Sequence, residues 1–152
     1  TGDGVRLGSQ VKVAKIMSPT RGVPAFIEIT KALNRDPFQT PVSCPIASVG
    51  GYGGAMGPAQ FISTTWLSYA PRVKEITGQE ADPWNIRDAF FAAGLYLRDA
   101  GGIKDEFSAA MRYFSGGTWT KYEEFYGRSV LEIASRYEED IKTLDNNLAK
   151  GQ

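Results

Sequence analysis

The sequence predicts an all-α domain built around one ordered, glycine-rich loop. Apolar residues return every three or four positions in successive stretches, which is the period of an amphipathic helix. No stretch alternates apolar and polar residues over a useful strand length, and no internal repeat or low-complexity linker is visible. Hydrophobic residues make up 42% and charged residues 22% of the chain, a balance that supports a folded core and argues against disorder. A chain of 152 residues is near the usual size of one domain and buries roughly two thirds of the surface its unfolded form exposes.

Residues 1–22 are rich in Gly, polar and basic residues and read as an extended approach segment. Pro24 suits a first helical turn, and Phe26, Ile29 and Leu33 follow at helical spacing until Asn34, Asp36 and Pro37 stop the run. The next stretch mixes Pro37, Pro41 and Pro45 with a glycine cluster, so it is expected to be an ordered loop rather than regular structure. A helix is expected to begin within a few residues of Pro58 and to carry Phe61, Ile62, Trp66, Leu67 and Tyr69, with Ser63-Thr64-Thr65 offering a local cap.

Asp82-Pro83-Trp84-Asn85 is a turn and cap signature ahead of a helix over 86–100, whose apolar surface includes Ala89, Phe90, Ala93, Leu95, Tyr96 and Leu97. Gly101-Gly102 ends it. A further helix over 107–114 is stopped by Ser115-Gly116-Gly117, and a last one runs from Tyr122 to about Leu148 with Phe125, Val130, Ile133, Ala134, Tyr137, Ile141 and Leu144 on one period. Its Tyr137-Glu138-Glu139-Asp140-Ile141-Lys142 run reads either as a solvated face or as the start of a partner-binding helix.

Lys plus Arg (17) balances Asp plus Glu (17), so no global positive field gathers nucleic acid or an anionic membrane, and a neutral ligand suits the chain. Histidine is absent, which removes His-dependent triads and most zinc sites and leaves acid–base chemistry to carboxylates. No cofactor or metal site is expected. Cys44 stands alone and reads either as a buried structural thiol or as one half of a disulfide to a cysteine outside this chain. No apolar run approaches the ~18 residues of a membrane span, and no signal-peptide pattern opens the chain.

The most informative stretch is Gly50-Gly51-Tyr52-Gly53-Gly54-Ala55-Met56-Gly57-Pro58-Ala59-Gln60-Phe61, followed by Ile62-Ser63-Thr64-Thr65-Trp66. Glycine lets backbone approach a ligand closely, Pro58 fixes the entry to a helix, and Gln60 offers both a donor and an acceptor. On the residues alone the loop reads equally as a floor for a polyhydroxylated ligand or as a structural turn that Gln60 ties to a neighbouring helix. The phosphate-loop pattern is absent.

This loop resembles the G-A-M-G-x-x-Q-F motif of lytic murein transglycosylases of the B type, within the SLT-like, lysozyme-like superfamily. Asp82 to Ala89, with Tyr96 further along, resembles that family's next motif, although Ile86 stands where proline is usual. Arg112-Tyr113-Phe114-Ser115-Gly116-Gly117 with Phe125-Tyr126-Gly127 is similar to its cleft-lining region, although Phe114 stands where asparagine is usual. The resemblance covers roughly residues 17–137. It implies a goose-type, lysozyme-like helical domain over 1–137, followed by a helical extension over 138–152.

The resemblance also implies an activity: cleavage of the MurNAc-β-1,4-GlcNAc bond of peptidoglycan with formation of 1,6-anhydroMurNAc ends. One glutamate serves as acid and then base, because the attacking hydroxyl belongs to the sugar, and burial must raise its pKa. The family's E-[ST]-x-x-G motif is not found. Gly4 occupies the acid's place in the nearest partial echo, Val5-Arg6-Leu7-Gly8, so the acid is expected upstream of Thr1 and the fold is expected to be incomplete at its N-terminus. Glu28, the one glutamate before the loop, is expected at the margin of its helix or in solvent, while Asp82 and Asp88 are expected to serve helix N-termini.

Gln60 is expected to hydrogen-bond an N-acetyl or hydroxyl group, with Tyr52 and Met56 shaping the adjacent subsite. Tyr96, Tyr113 and Tyr126 are expected to offer faces and hydroxyls to sugar rings, where core packing is the alternative for each. Trp66 and Trp84 are expected to pack between helices, and Trp119 either to reach ligand or to cover the core. The implied partner is the peptidoglycan glycan strand, the implied place is outside the cytoplasm, and a Cys44 disulfide to an upstream segment follows as an expectation. Two other readings stay open: a non-catalytic glycan-binding module that lacks the acid, and a helical interaction module in which Gln60 and the tyrosines share no groove.

Overall fold

The computed structural model describes residues 16–45, 52–115 and 126–149. The sequence readings of residues 1–15, Gly50, Gly51 and the stretch 116–125, with Trp119 and Phe125, lie outside them. Five helices order the described residues: α1 (Gly22–Ala32), α2 (Ser63–Thr77), α3 (Ile86–Asp99), α4 (Glu106–Ser115) and α5 (Arg128–Ala149). Among the described residues the only β-type pairing is an isolated bridge between Met56 and Phe61, so the all-helical expectation holds. The chain divides into two compact units, Thr1–Gly94 and Leu95–Gln152.

In the first unit α1 packs on α2. Phe26 and Ile29 are buried, as the spacing predicts, and Glu28 between them is exposed. Thr30 is fully buried; its hydroxyl donates to the carbonyl of Phe26 at 2.9 Å, which removes the cost of placing a polar group there. Trp66 on α2 is 1% exposed and meets the Phe61 ring edge-on at 5.8 Å. Full burial of a side chain of the Phe26 class contributes about 1.5–3 kcal/mol. Ile16 and Met17 are also buried, which brings the end of the predicted approach segment into the core.

The start and end of α2 depart from the sequence reading. The helix begins at Ser63, because the chain first makes a turn at 57–60 and a bridge to Phe61. Ile62 occupies the N-cap without a side-chain cap bond, and the Ser63 hydroxyl instead donates to the Gly22 carbonyl at 2.8 Å, tying the starts of α1 and α2 together. At the far end α2 runs through Pro71 to Thr77. Pro71 cannot donate a helical hydrogen bond, but fully buried Val73 holds the turn that follows, and Gly78 closes the helix in the left-handed conformation.

α3 is capped as predicted. Asn85 Oδ1 accepts from the backbone N–H groups of Arg87 at 2.9 Å and Asp88 at 3.4 Å. Asp82 Oδ1 accepts from the Trp84 N–H at 2.8 Å, closing the turn before the cap. In the second unit Ala109, Ala110 and Met111 are buried on α4, which contacts α5, whereas no residue of α5 is buried.

Candidate functional site

The glycine loop is held from two sides. Ser43 makes three bonds to it: its N–H donates to the Ala55 carbonyl at 2.9 Å, its carbonyl accepts from the Gly54 N–H at 2.9 Å, and its hydroxyl accepts from the Ala55 N–H at 3.0 Å. These bonds satisfy backbone groups that no helix or strand would pair. A Cβ on Gly53 would lie 2.5 Å from the Cys44 carbonyl carbon and the Pro45 nitrogen, so only glycine admits this approach. Beyond the loop, the Met56 N–H donates to the Phe61 carbonyl at 2.9 Å.

Gly57 carries the second restraint. Its φ is +61°, and a Cβ there would stand 1.7 Å from the Pro83 carbonyl oxygen. The loop motif and the Asp82-Pro83-Trp84-Asn85 motif, distant in sequence, thus form one platform. Trp84 fixes the turn further: its Nε1 donates to the Pro41 carbonyl at 3.0 Å, its ring meets Phe26 edge-on at 6.4 Å, and the Arg35 guanidinium lies 4.9 Å above it. Arg35 also pairs with Asp82 at 2.7 Å.

On this platform Gln60 is exposed and adopts φ +55°, which a residue with a Cβ enters at a cost of about 1–2 kcal/mol. Its Nε2 donates to the Gly57 carbonyl at 2.7 Å, and its backbone N–H to the same oxygen at 3.2 Å. The side chain is therefore tied to its own loop rather than to a neighbouring helix, and its Oε1 remains as an acceptor. A conformation of this cost persists because the surrounding loop restrains it. Tyr52, at the other end of the loop, is 60% exposed, whereas Met56 is fully buried and supports the loop from beneath.

The remaining predicted residues share the second unit. Tyr96 on α3 meets Tyr113 on α4 edge-on at 5.1 Å, and the Tyr96 hydroxyl donates to the Arg112 carbonyl at 3.1 Å. Tyr126 stacks on Phe114 with ring centroids 4.1 Å apart. Burial pushes the Tyr113 hydroxyl up to about 12, aided by Tyr126 and then Tyr96, and burial also raises Tyr126. The three tyrosines and Phe114 form an aromatic cluster, in which the raised Tyr113 and Tyr126 hydroxyls stay protonated and serve as neutral hydrogen-bonding groups.

Carboxylates are placed as the sequence suggests. Glu28 lies on the exposed side of α1, at a groove of about 350 Å³ lined also by Ile29, Trp66, Pro71, Lys74 and Glu80. Lys74 and Glu80 pair there at 2.6 Å, and neither Tyr52, Met56 nor Gln60 lines that groove. Asp88 is 3% exposed and accepts from the Asp82 N–H at 3.1 Å and from Arg87 Nε at 3.4 Å, which binds it to the turn before α3. Cys44 is exposed, so the buried-thiol reading does not hold. Among the described residues no helix is long and apolar enough to cross a membrane.

Three contributors escaped the sequence reading. Ser43 carries no motif, Arg35 acts through a partner at position 82, and Phe114, read only as a departure from asparagine, supplies the face on which Tyr126 stacks. No curated protein and no solved structure matches the chain. The family model for the transglycosylase SLT domain matches residues 31–133, which takes in the loop platform, the capped turn and the aromatic cluster. The chain belongs to the transglycosylase SLT domain family.

Proposed function

We propose that the chain is the glycan-binding part of a B-type lytic transglycosylase that cleaves the MurNAc-β-1,4-GlcNAc bond of peptidoglycan and leaves 1,6-anhydroMurNAc ends outside the cytoplasm. The observation that carries this reading is the fixed loop in a transglycosylase SLT domain: Gln60 held at positive φ on a platform that Ser43 and Pro83 restrain. Gln60 Oε1 accepts from an N-acetyl N–H or a hydroxyl of the sugar, Tyr52 lies against a ring face, and Met56 sets the loop's height from below. In the second unit Tyr96, Tyr113 and Tyr126 offer ring faces and hydroxyls to sugar rings. The domain spans 1–137, with 138–152 as a helical extension.

The general acid and base is a glutamate on a segment upstream of Thr1, and a disulfide from Cys44 to that segment holds the loop near it. What supports this is the state of the carboxylates here: Glu28 is exposed and Asp88 is committed to the turn. The same observation favours a second reading, a glycan-binding module without catalysis.

Digestion of purified peptidoglycan, by a chain extended upstream and by these 152 residues alone, separates the readings through mass spectrometry of the muropeptides. Anhydro products from the extended chain only are expected. Products from the 152-residue chain would move the acid to Glu28. Binding without anhydro products from either chain would establish the module.

A further inference from the structure

α5 runs for 22 residues, about 33 Å at the usual rise, and buries none of them. Ile133, Tyr137, Ile141, Leu144 and Leu148 are 49–73% exposed, although their spacing puts them on one face. Val130, Ala134, Tyr137, Ile141, Leu144 and Leu148 alternate steps of four and three, which is the d–a repeat of a coiled coil over nearly three heptads. A solvated helix has no need of such a stripe. Large apolar residues in a continuous exposed row mark a surface that a protein or a membrane covers.

The flanks of the stripe narrow the choice. In this register the e positions from the second heptad are Glu138 and Asp145, and the g positions are Asp140 and Asn147. The helix's cations lie further round: Lys142 pairs with Glu138 at 2.7 Å, and Arg136 with Glu132 at 2.7 Å, both among exposed groups whose pairing is weak. A parallel pair of α5 helices sets Asp140 of one copy against Asp145 of the other; an antiparallel pair brings e to e, again acid to acid with Glu138 against Asp145, and g to g, where Asp140 meets Asn147 and gains no opposite charge. Self-pairing is therefore disfavoured, and so is an anionic membrane surface.

We propose that α5 is a recognition helix for a different protein, pairing as a short coiled coil with a partner helix that carries Leu or Ile at a and d and Lys or Arg at e and g. The proposal is independent of the glycan site.

Two synthetic three-heptad peptides test it, alike at a and d and bearing Lys or Glu at e and g, each titrated into the 152-residue chain by fluorescence anisotropy. The Lys peptide is expected to bind at least about tenfold more tightly than the Glu peptide. Asp140→Lys with Asp145→Lys is expected to reverse that preference, and Ile141→Lys with Leu144→Lys to abolish binding while circular dichroism shows the helix intact. Equal affinity for the two peptides, or no binding of either, would overturn the proposal. So would a concentration-dependent dimer in sedimentation that the Ile141 and Leu144 substitutions dissolve, or uptake of the chain by phosphatidylcholine vesicles in place of peptide.

Discussion

Gly57→Ala tests quantitatively whether the loop and the Pro83 turn form one platform. Two costs add at this position. The backbone lies at φ +61°, where a residue with a Cβ costs about 1–2 kcal/mol. The new methyl would also stand 1.7 Å from the Pro83 carbonyl oxygen, a backbone atom that cannot swing aside. Loop or turn must shift, and overpacking of that kind costs a further ~1–3 kcal/mol. The stiffer unfolded chain offsets about 0.4–1 kcal/mol of the total. A net loss of about 2–4 kcal/mol is expected. Gly78 supplies the control, since its φ is +71° and nothing lies within 4 Å of the Cβ it would gain. Gly78→Ala carries the backbone cost alone, about 1 kcal/mol. Urea unfolding of both variants isolates the contact as the difference between them. Losses equal to within about 0.5 kcal/mol would refute the close approach, and with it the joining of the two motifs.

Further substitutions separate binding from stability. Gln60→Gly relieves the left-handed backbone strain, so stability is expected to hold or rise by up to about 1 kcal/mol while co-sedimentation with insoluble peptidoglycan weakens. Undiminished co-sedimentation would remove Gln60 from the site. Tyr113 keeps its proton in the folded state up to about pH 12, against 10.0 for an ordinary tyrosine. Its contribution is therefore complete below pH 10.0 and is lost as pH rises towards about 12; the side chain is only partly buried, so solvent screening cuts the loss to about 1 kcal/mol. Denaturant titrations across that window should show the fall, and Tyr113→Phe should flatten it. Asp88→Ala strands the Asp82 N–H and loosens the turn, with an expected loss of about 1–3 kcal/mol in thermal unfolding.

The elements legible in the sequence were those fixed locally. Phe26 and Ile29 repeat at helical spacing and are buried; Asn85 precedes a helix and caps it. What was not legible depends on contacts between distant segments. Nothing near Ser43 marks it as the anchor of the loop, because its partners Gly54 and Ala55 lie beyond Pro45. The late start of α2 has the same cause: the Met56–Phe61 bridge and the contact of Gly57 with Pro83 hold the chain in a turn where local propensity favours helix. Likewise Ser63, a natural cap by type, turns its hydroxyl to Gly22, a partner the periodicity cannot reveal. In the candidate site, exposure of Tyr52 and burial of Met56 follow from which side of the loop turns inward, and spacing alone leaves that open in a glycine-rich segment.

The placement of the carboxylates bears most directly on mechanism. An acid that protonates a glycosidic oxygen must keep its proton until the substrate arrives, and apolar burial is what makes that possible. Among the described residues Asp88 has the burial, but its oxygens face the Asp82 N–H and Arg87 Nε, donors that belong to the fold. Glu28 has the freedom and lacks the enclosure: it sits on the open side of α1, at a groove that Gln60 and Tyr52 do not line. Burial and access thus reside on different carboxylates, and the catalytic step needs both on one. A segment packed over the α1–α2 groove would enclose Glu28, whereas a segment carrying its own glutamate to the Gln60 loop would leave Glu28 exposed. Glu28→Gln in a chain extended upstream decides between them: anhydro products at an unchanged rate place the acid on the added segment, and loss of products with unchanged peptidoglycan binding places it at Glu28.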